Sequence, residues 1–209
     1  MAYNLGTPTC WNSTLINCTL PHRESPQCQY GCVQNASGEI AAMASFPNLR
    51  LYQNLGIRHP KHPWMEKPQA ESPNSGWQLP KEMGGKFSAM CYFFGRDLYT
   101  SLSAAGKMRP IGLMETDVGG TPDQDWSSAD AIAKCPQKMN TDSVYWNIKV
   151  LPLTRNTVKG VVWMQGEANT KQGDGRNYRC SFRALISDWR SKWFNGTDGS
   201  TELDFPFGW

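Results

Sequence analysis

The sequence predicts an α/β protein whose parallel strands are covered by helices on both faces. Three observations carry that expectation. Helical and strand signals alternate from residue 87 to the end of the chain. The run "TVKGVVWMQ" (157–165) is β-branched and too short for a buried helix. Tyr178, Phe182, Leu185, Ile186, Trp189 and Trp193 then recur at helical spacing, an apolar stripe that needs a sheet to cover. Strands separated by helices are joined by crossovers, and crossovers make parallel sheets.

The elements follow in order. "FPNLRLYQN" (46–54) alternates Leu49 and Leu51 with polar neighbours and reads as a strand. From Arg58 to Pro80 five prolines, Pro80 included, exclude a helix or a central strand. That stretch reads as a long loop carrying His59, His62, Trp64 and Trp77. Its aromatics either line a sugar-binding wall, with Trp77 the candidate contact, or anchor a lid on the core. Phe87, Met90, Cys91, Phe94, Leu98 and Leu102 predict one buried helix face, with Ser88 as its cap. Cys91, on that face, reads as a buried thiol. "RPIGLMETD" (109–117) is a strand that ends at Gly119-Gly120. "SSADAIAKC" (127–135) is a short helix capped by Ser127 or Ser128. "SVYWNIKVLPL" (143–153) is open between helix and extended chain.

Composition narrows the function. Hydrophobic residues form 39% of 209, enough for a real core. The formal charge is +3, and Lys and Arg are scattered, so nothing points to nucleic acid. No apolar run approaches the roughly 20 residues that span a bilayer.

The N-terminal segment has its own character. Cys10, Cys18, Cys28 and Cys32 are interleaved with the sequons of Asn12, Asn17 and Asn35, and a fourth sequon lies at Asn195. Residues 1–38 read as a glycosylated, disulfide-stapled segment from an oxidising compartment. The rival is a zinc module using those Cys with His22. Of the gaps of seven, nine and three residues between successive Cys, only the last has the spacing of a paired zinc ligand, and no second Cys pair accompanies it. Cys135 and Cys180, at or near helix ends, are further disulfide candidates. "MAYNLGTPTC" lacks a secretory signal, so the expectation is a secreted or lysosomal protein whose beginning lies outside this chain.

Chemistry in parallel sheets gathers beyond the carboxyl ends of strands. After the second strand, "DVGGTP" offers the backbone N–H groups of Gly119 and Gly120, which a developing anion can approach. The plainer reading is an ordinary strand-to-helix turn. After the third, "QGEAN" offers the Gln165 amide as a donor, Gly166 as a turn, Glu167 as a support and Asn169 as a further polar contact. Alone it is a strand-to-loop transition.

Taken together, "FSAMCYFFGRDLY", "PIGLMETDVGGTPDQDWSS", "KGVVWMQGEANT", "YRCSFRALISDWR" and "FPFG" resemble the sialate O-acetylesterases, which are SGNH-type hydrolases. The similarity runs from about Gln34 to the last residue, and residues 39–209 are assigned to part of that domain. The resemblance implies a three-layer α/β/α fold and removal of O-acetyl groups from sialic acids or other acetylated sugars, with no cofactor. It places Gly119 or Gly120 and Gln165 in an oxyanion hole, makes Glu167 a supporting residue, and puts Gly166 and Asn169 against substrate.

The chain also departs from the family. Its nucleophile block, Gly-Gln-Ser-Asn, and its Asp-x-x-His block do not occur here. Ser88, Ser127 and Ser128 are better read as helix caps than as nucleophiles. The expectation is the oxyanion half of an esterase site, inactive by itself. The alternative is a non-catalytic secreted glycan-binding relative. Acetyl position, disulfide connectivity and oligomeric state are not legible in the sequence.

Overall fold

The computed structural model describes residues 35–54, 76–135, 143–171 and 175–208. Cys10, Cys18, Cys28, Cys32, Asn12, Asn17, His22, His59, His62 and Trp64 lie outside these residues. The described chain falls into two compact units, one holding 35–54 and 76–117, the other beginning at Val118.

The first unit contains α1 (Ala36–Ala42), β1 (Leu49–Gln53), α2 (Pro80–Met83), α3 (Ala89–Ala104) and β2 (Ile111–Glu115). Helix α1 begins inside residues 1–38, the segment expected to be glycosylated and disulfide-stapled. Strands β1 and β2 pair in parallel, Leu49 opposite Ile111 and Gln53 opposite Glu115. Parallel pairing needs a crossover, and α3 lies within it. Met43, Leu51, Met83, Phe87, Tyr92 and Leu113 close the core. Ser88 caps α3, its Oγ accepting from the Cys91 N–H at 3.4 Å.

The predicted buried face of α3 is corrected. Met90, Phe94 and Leu98 are exposed, while Ala89, Tyr92 and Gly95 are buried. Close approach explains the reversal: a Cβ on Gly95 would sit 2.3 Å from Leu113 Cδ1. The helix brings Gly95 against the sheet and buries Tyr92 in the core, and it turns Met90, Phe94 and Leu98 away. Cys91 is part-buried rather than buried. Burial, with the negative charge of Glu115 adding, still pushes its thiol up to about 12.

The second unit contains α4 (Ala129–Ile132), β3 (Val161–Val162), α5 (Glu167–Lys171), α6 (Gly175–Gly196) and β4 (Phe207–Gly208). Ser128, not Ser127, caps α4: its Oγ accepts from the Ala131 N–H and donates to Asp188 at 2.7 Å. Residues left open by the sequence turn out helical, a wide π-type turn at Trp146–Val150 running into a 3₁₀ turn at Leu151–Arg155. The stripe on α6 is buried as expected at Leu185, Trp189 and Trp193. Its rings meet those of β3 and β4, with Trp163–Trp189 centroids 5.6 Å apart and Trp189–Phe207 centroids 5.9 Å apart. Trp126, Tyr145, Trp146, Trp163, Phe205 and Phe207 are buried in the same unit, and aromatic side chains bury large apolar areas.

A disulfide joins Cys135 to Cys180 and closes a loop of 45 residues between the region after α4 and α6. Asn35 and Asn195 are exposed, Asn35 in a left-handed backbone conformation just before α1.

The strands correct the sequence reading in two respects. Among the described residues they form two separate two-stranded pairs, β1-β2 and β3-β4, each parallel. Strand β3 pairs over two residues only, and Val162 within it and Met164 just after it are 40% and 50% exposed. Its sequence is apolar on both faces, but one face alone is covered here. No described helix is long and apolar enough to cross a membrane.

Candidate active site

Strand β3 delivers the chain into the core of the second unit. Trp163 is buried there, and its backbone N–H donates to Gly208 O at 2.8 Å. Two residues later Gln165 leaves the strand. Its backbone carbonyl accepts from the Tyr178 hydroxyl of α6 at 3.2 Å, which fixes where the side chain starts.

The diglycine bend is built just as locally. Gly120 has φ +78°, a left-handed conformation that favours glycine, and a Cβ there would meet open space. Thr121 ties the bend off: its Oγ1 donates to Val118 O at 2.8 Å and accepts from Trp126 Nε1 at 2.8 Å. Gly119 and Gly120 are exposed, and among the described residues neither backbone N–H is donated to an acceptor.

The two strand-end motifs meet. Gln165 Nε2 donates to Thr121 O at 3.1 Å, across 44 residues of sequence, and to Asn169 Oδ1 at 2.7 Å. Asn169 is in turn saturated. Its Oδ1 also accepts from the Asp123 N–H at 3.0 Å, and its Nδ2 donates to Asp123 Oδ1 at 2.7 Å and Gln124 Oε1 at 2.9 Å. Asp123 Oδ2 accepts from Ser181 Oγ of α6 at 2.6 Å. Asp123, Asn169 and Ser181 are each no more than 2% exposed. Burial raises the carboxyl of Asp123, while the hydrogen bonds from Ser181 and Asn169 oppose that rise.

This geometry revises several expected roles. Asn169 is enclosed, with every amide position engaged, so it does not face a substrate. Both N–H groups of Gln165 are committed, so its donor reaches an anion only by taking the place of Thr121 O. Its Oε1 is buried without a partner among the described residues. Glu167 is exposed and makes no hydrogen bond or ion pair with a described residue; its charge contributes to raising the Tyr178 hydroxyl. Gly166 lies beside Tyr178, 3.7 Å from its hydroxyl to a notional Cβ. Trp77 belongs to the other unit, half-exposed, with its ring over Gly112 and 5.7 Å from that of Tyr52.

Asp123, Ser181 and Thr121 were not singled out by sequence, and Tyr178 was read only as part of the apolar stripe. The one available signal was polarity in the wrong place: Ser181 interrupts the apolar stripe of α6. Glu115, at the end of β2 in the first unit, was also missed. Its Oε2 accepts from the Ser88 N–H at 3.1 Å and Gln53 Nε2 at 2.9 Å, while Oε1 is buried with no partner among the described residues. Burial first, and the neighbouring Asp117 charge second, push its carboxyl up to about 7.

A cavity of about 450 Å³ in the second unit is lined by Ser128, Asp130, Ser143, Trp146, Asn147 and Lys192. It shares no residue with the bend or with Gln165. Among the described residues no group of three or more His, Cys, Asp or Glu is placed to hold a metal.

Residues 69–195 match the model of a family described as carbohydrate esterase, sialic acid-specific acetylesterase. The chain belongs to that family. It is 35% identical to the sialate O-acetylesterase of Homo sapiens over 195 residues, and 30% identical to that of Mus musculus over 218. Each alignment covers 83% of this chain but only 35% and 38% of those relatives. This acetylesterase-family chain therefore spans little more than a third of their length. A crystal structure of a carbohydrate acetylesterase from Xanthomonas citri superposes with a TM-score of 0.57 at 28% identity, covering 82% of this chain and 36% of that one. The described elements are accordingly part of an α/β fold of the SGNH-hydrolase type.

Proposed function

We propose that this family member contributes the oxyanion-binding side of an esterase site that removes O-acetyl groups from sialic acid. The observation that carries the reading is the meeting of the Gly119-Gly120 bend with the Gln165 carboxamide. Two uncommitted glycine N–H groups lie next to Thr121, the residue whose carbonyl holds a Gln165 N–H. An acetyl oxygen that takes the place of Thr121 O would gather amide donors from both strand ends. Donors preset where charge develops are the largest single contribution in many acyl transfers. The Gly-Gln-Ser-Asn and Asp-x-x-His blocks, which the resemblance makes the source of the nucleophile and its Asp and His, do not occur in the sequence. The 209-residue chain alone is therefore read as a holder of the tetrahedral oxyanion without a group to form it.

A secreted or lysosomal location is part of the same proposal. It is supported by the Cys135–Cys180 disulfide and by two exposed sequon asparagines, Asn35 and Asn195.

The test is a chimera in which residues 35–208 replace the matching segment of the Homo sapiens relative. Acetate release from O-acetylated N-acetylneuraminic acid is expected from the chimera, lost on Gln165→Ala, and absent from the 209-residue chain. A folded chimera that binds the acetylated sugar without releasing acetate would support the glycan-binding alternative instead. One that does neither ends both readings.

A further inference from the structure

We infer that Asn169 is the positioning residue of this site, the side chain that decides which way the Gln165 carboxamide points. The inference deepens the esterase reading and rests on it for its functional meaning. Its geometry stands independently.

A glutamine at a strand end has three free torsions, and its amide can present oxygen or nitrogen to the same spot. Asn169 removes that freedom. Its Oδ1 faces two donors, the Asp123 N–H and Gln165 Nε2, and its Nδ2 faces two acceptors, Asp123 Oδ1 and Gln124 Oε1. Turning the Asn169 amide over would set nitrogen against both donors and oxygen against the Asp123 carboxylate. The orientation is therefore unique. Gln165 inherits it, because its own reversal would set Oε1 against Asn169 Oδ1 and Thr121 O.

The hydrogen bonds close a ring. Thr121, Asp123 and Gln124 lie on one short segment, Gln165 and Asn169 on another, and Ser181 ties the ring to α6 through Asp123. The two Gln165 donors are unequal in this arrangement. The 2.7 Å bond to Asn169 is the anchor, and the longer 3.1 Å bond to Thr121 O leaves the N–H beside the bend as the one a ligand oxygen can take over. Asn169 thus acts through Gln165 and touches no ligand itself.

The test reads the Gln165 side-chain amide by NMR in the full 209-residue chain labelled with ¹⁵N-glutamine, the pair of signals being assigned by its loss in Gln165→Glu. In the unsubstituted protein the pair is expected to exchange slowly with solvent and to be shifted from the position of an exposed glutamine. In Asn169→Ala it should move to the exposed position and lose its protection. The Trp126 and Trp189 indole N–H signals, donors to Thr121 Oγ1 and Trp126 O, should stay where they are. That contrast separates positioning from a general loss of structure.

A Gln165 pair that exchanges like an exposed glutamine in the unsubstituted chain overturns the inference, as does one unmoved in Asn169→Ala. If the indole signals collapse in that variant, Ser181→Ala is read the same way. It should move the Gln165 pair less, through Asp123 and Asn169, and an unmoved pair beside intact indole signals overturns the inference. No substrate enters this experiment. An inactive chimera would leave it standing, and its failure would leave the chimera result standing.

Discussion

Glu115 in the first unit and Asp123 in the second are both buried carboxylates, and their surroundings differ. Among the described residues Glu115 has two donors on one oxygen and none on the other. Asp123 has a donor on each oxygen, from Asn169 and Ser181. Burial raises both carboxyls, Glu115 to about 7. Removing a carboxylate from water sets the direction of its shift, and the distribution of donors over its two oxygens opposes it. The saturated carboxylate belongs to a ring of fixed geometry, which suits an amide that must be aimed. The half-satisfied one retains a titration near neutral pH.

The sharpest way to break that comparison is to open the ring. Asn169→Leu strips partners from Asp123, Gln124 and Gln165 at once. It should destabilise the second unit by about 3–5 kcal/mol, since each buried polar group left unpaired costs roughly 1–3 kcal/mol. Tryptophan fluorescence during urea unfolding reads this unit through Trp126, Trp146, Trp163, Trp189 and Trp193. Gln53→Leu in the first unit removes one donor from Glu115 and should cost less.

The disulfide supports the second unit alone. Reducing Cys135–Cys180, or replacing both with Ser, should lower its urea midpoint by the equivalent of about 3–4 kcal/mol, the loop-closure value for 45 residues. An unchanged midpoint would show that the loop is restrained by packing instead.

The first unit should respond to pH where the ring does not dominate. The Glu115 carboxyl is raised from 4.5 to about 7, so the folded chain binds the extra proton between those values. Stability from this group is complete below about 4.5, falls as pH rises, and is gone above about 7. The loss is at most about 3 kcal/mol from the linkage relation. Glu115→Gln should flatten that slope in denaturation midpoints measured from pH 4 to 8. An unchanged slope would assign the titration to another group.

The smallest effect concerns the outward face of α3. Met90→Ser and Phe94→Ser should change stability by no more than about 0.5 kcal/mol, because both side chains are exposed. A loss comparable to a core truncation would place that face in a contact.

Much of the backbone plan was legible. The strand around Leu49 and Leu51, the Ser88 cap, a strand within 109–117 and the stripe of α6 follow from periodicity and capping chemistry, which act over a few residues. The face of α3 was not legible. Met90, Phe94 and Leu98 form a more hydrophobic stripe than Ala89, Tyr92 and Gly95, yet the helix packs by shape against Leu113. The candidate site divided the same way. Gly119-Gly120 and Gln165 stood out as glycine and amide positions at strand ends. Asp123 and Ser181 did not, because their meaning lies in partners 46 and 58 residues away.

The sequence by itself determined the local elements, the strand-end motifs and the absence of a Gly-Gln-Ser-Asn block, since each depends on residue types within a short span. Only the tertiary structure decided that Asn169 points inward and that Gln165 is already held. A hydrogen bond between distant segments depends on where the chain brings them, and local spacing carries no record of that.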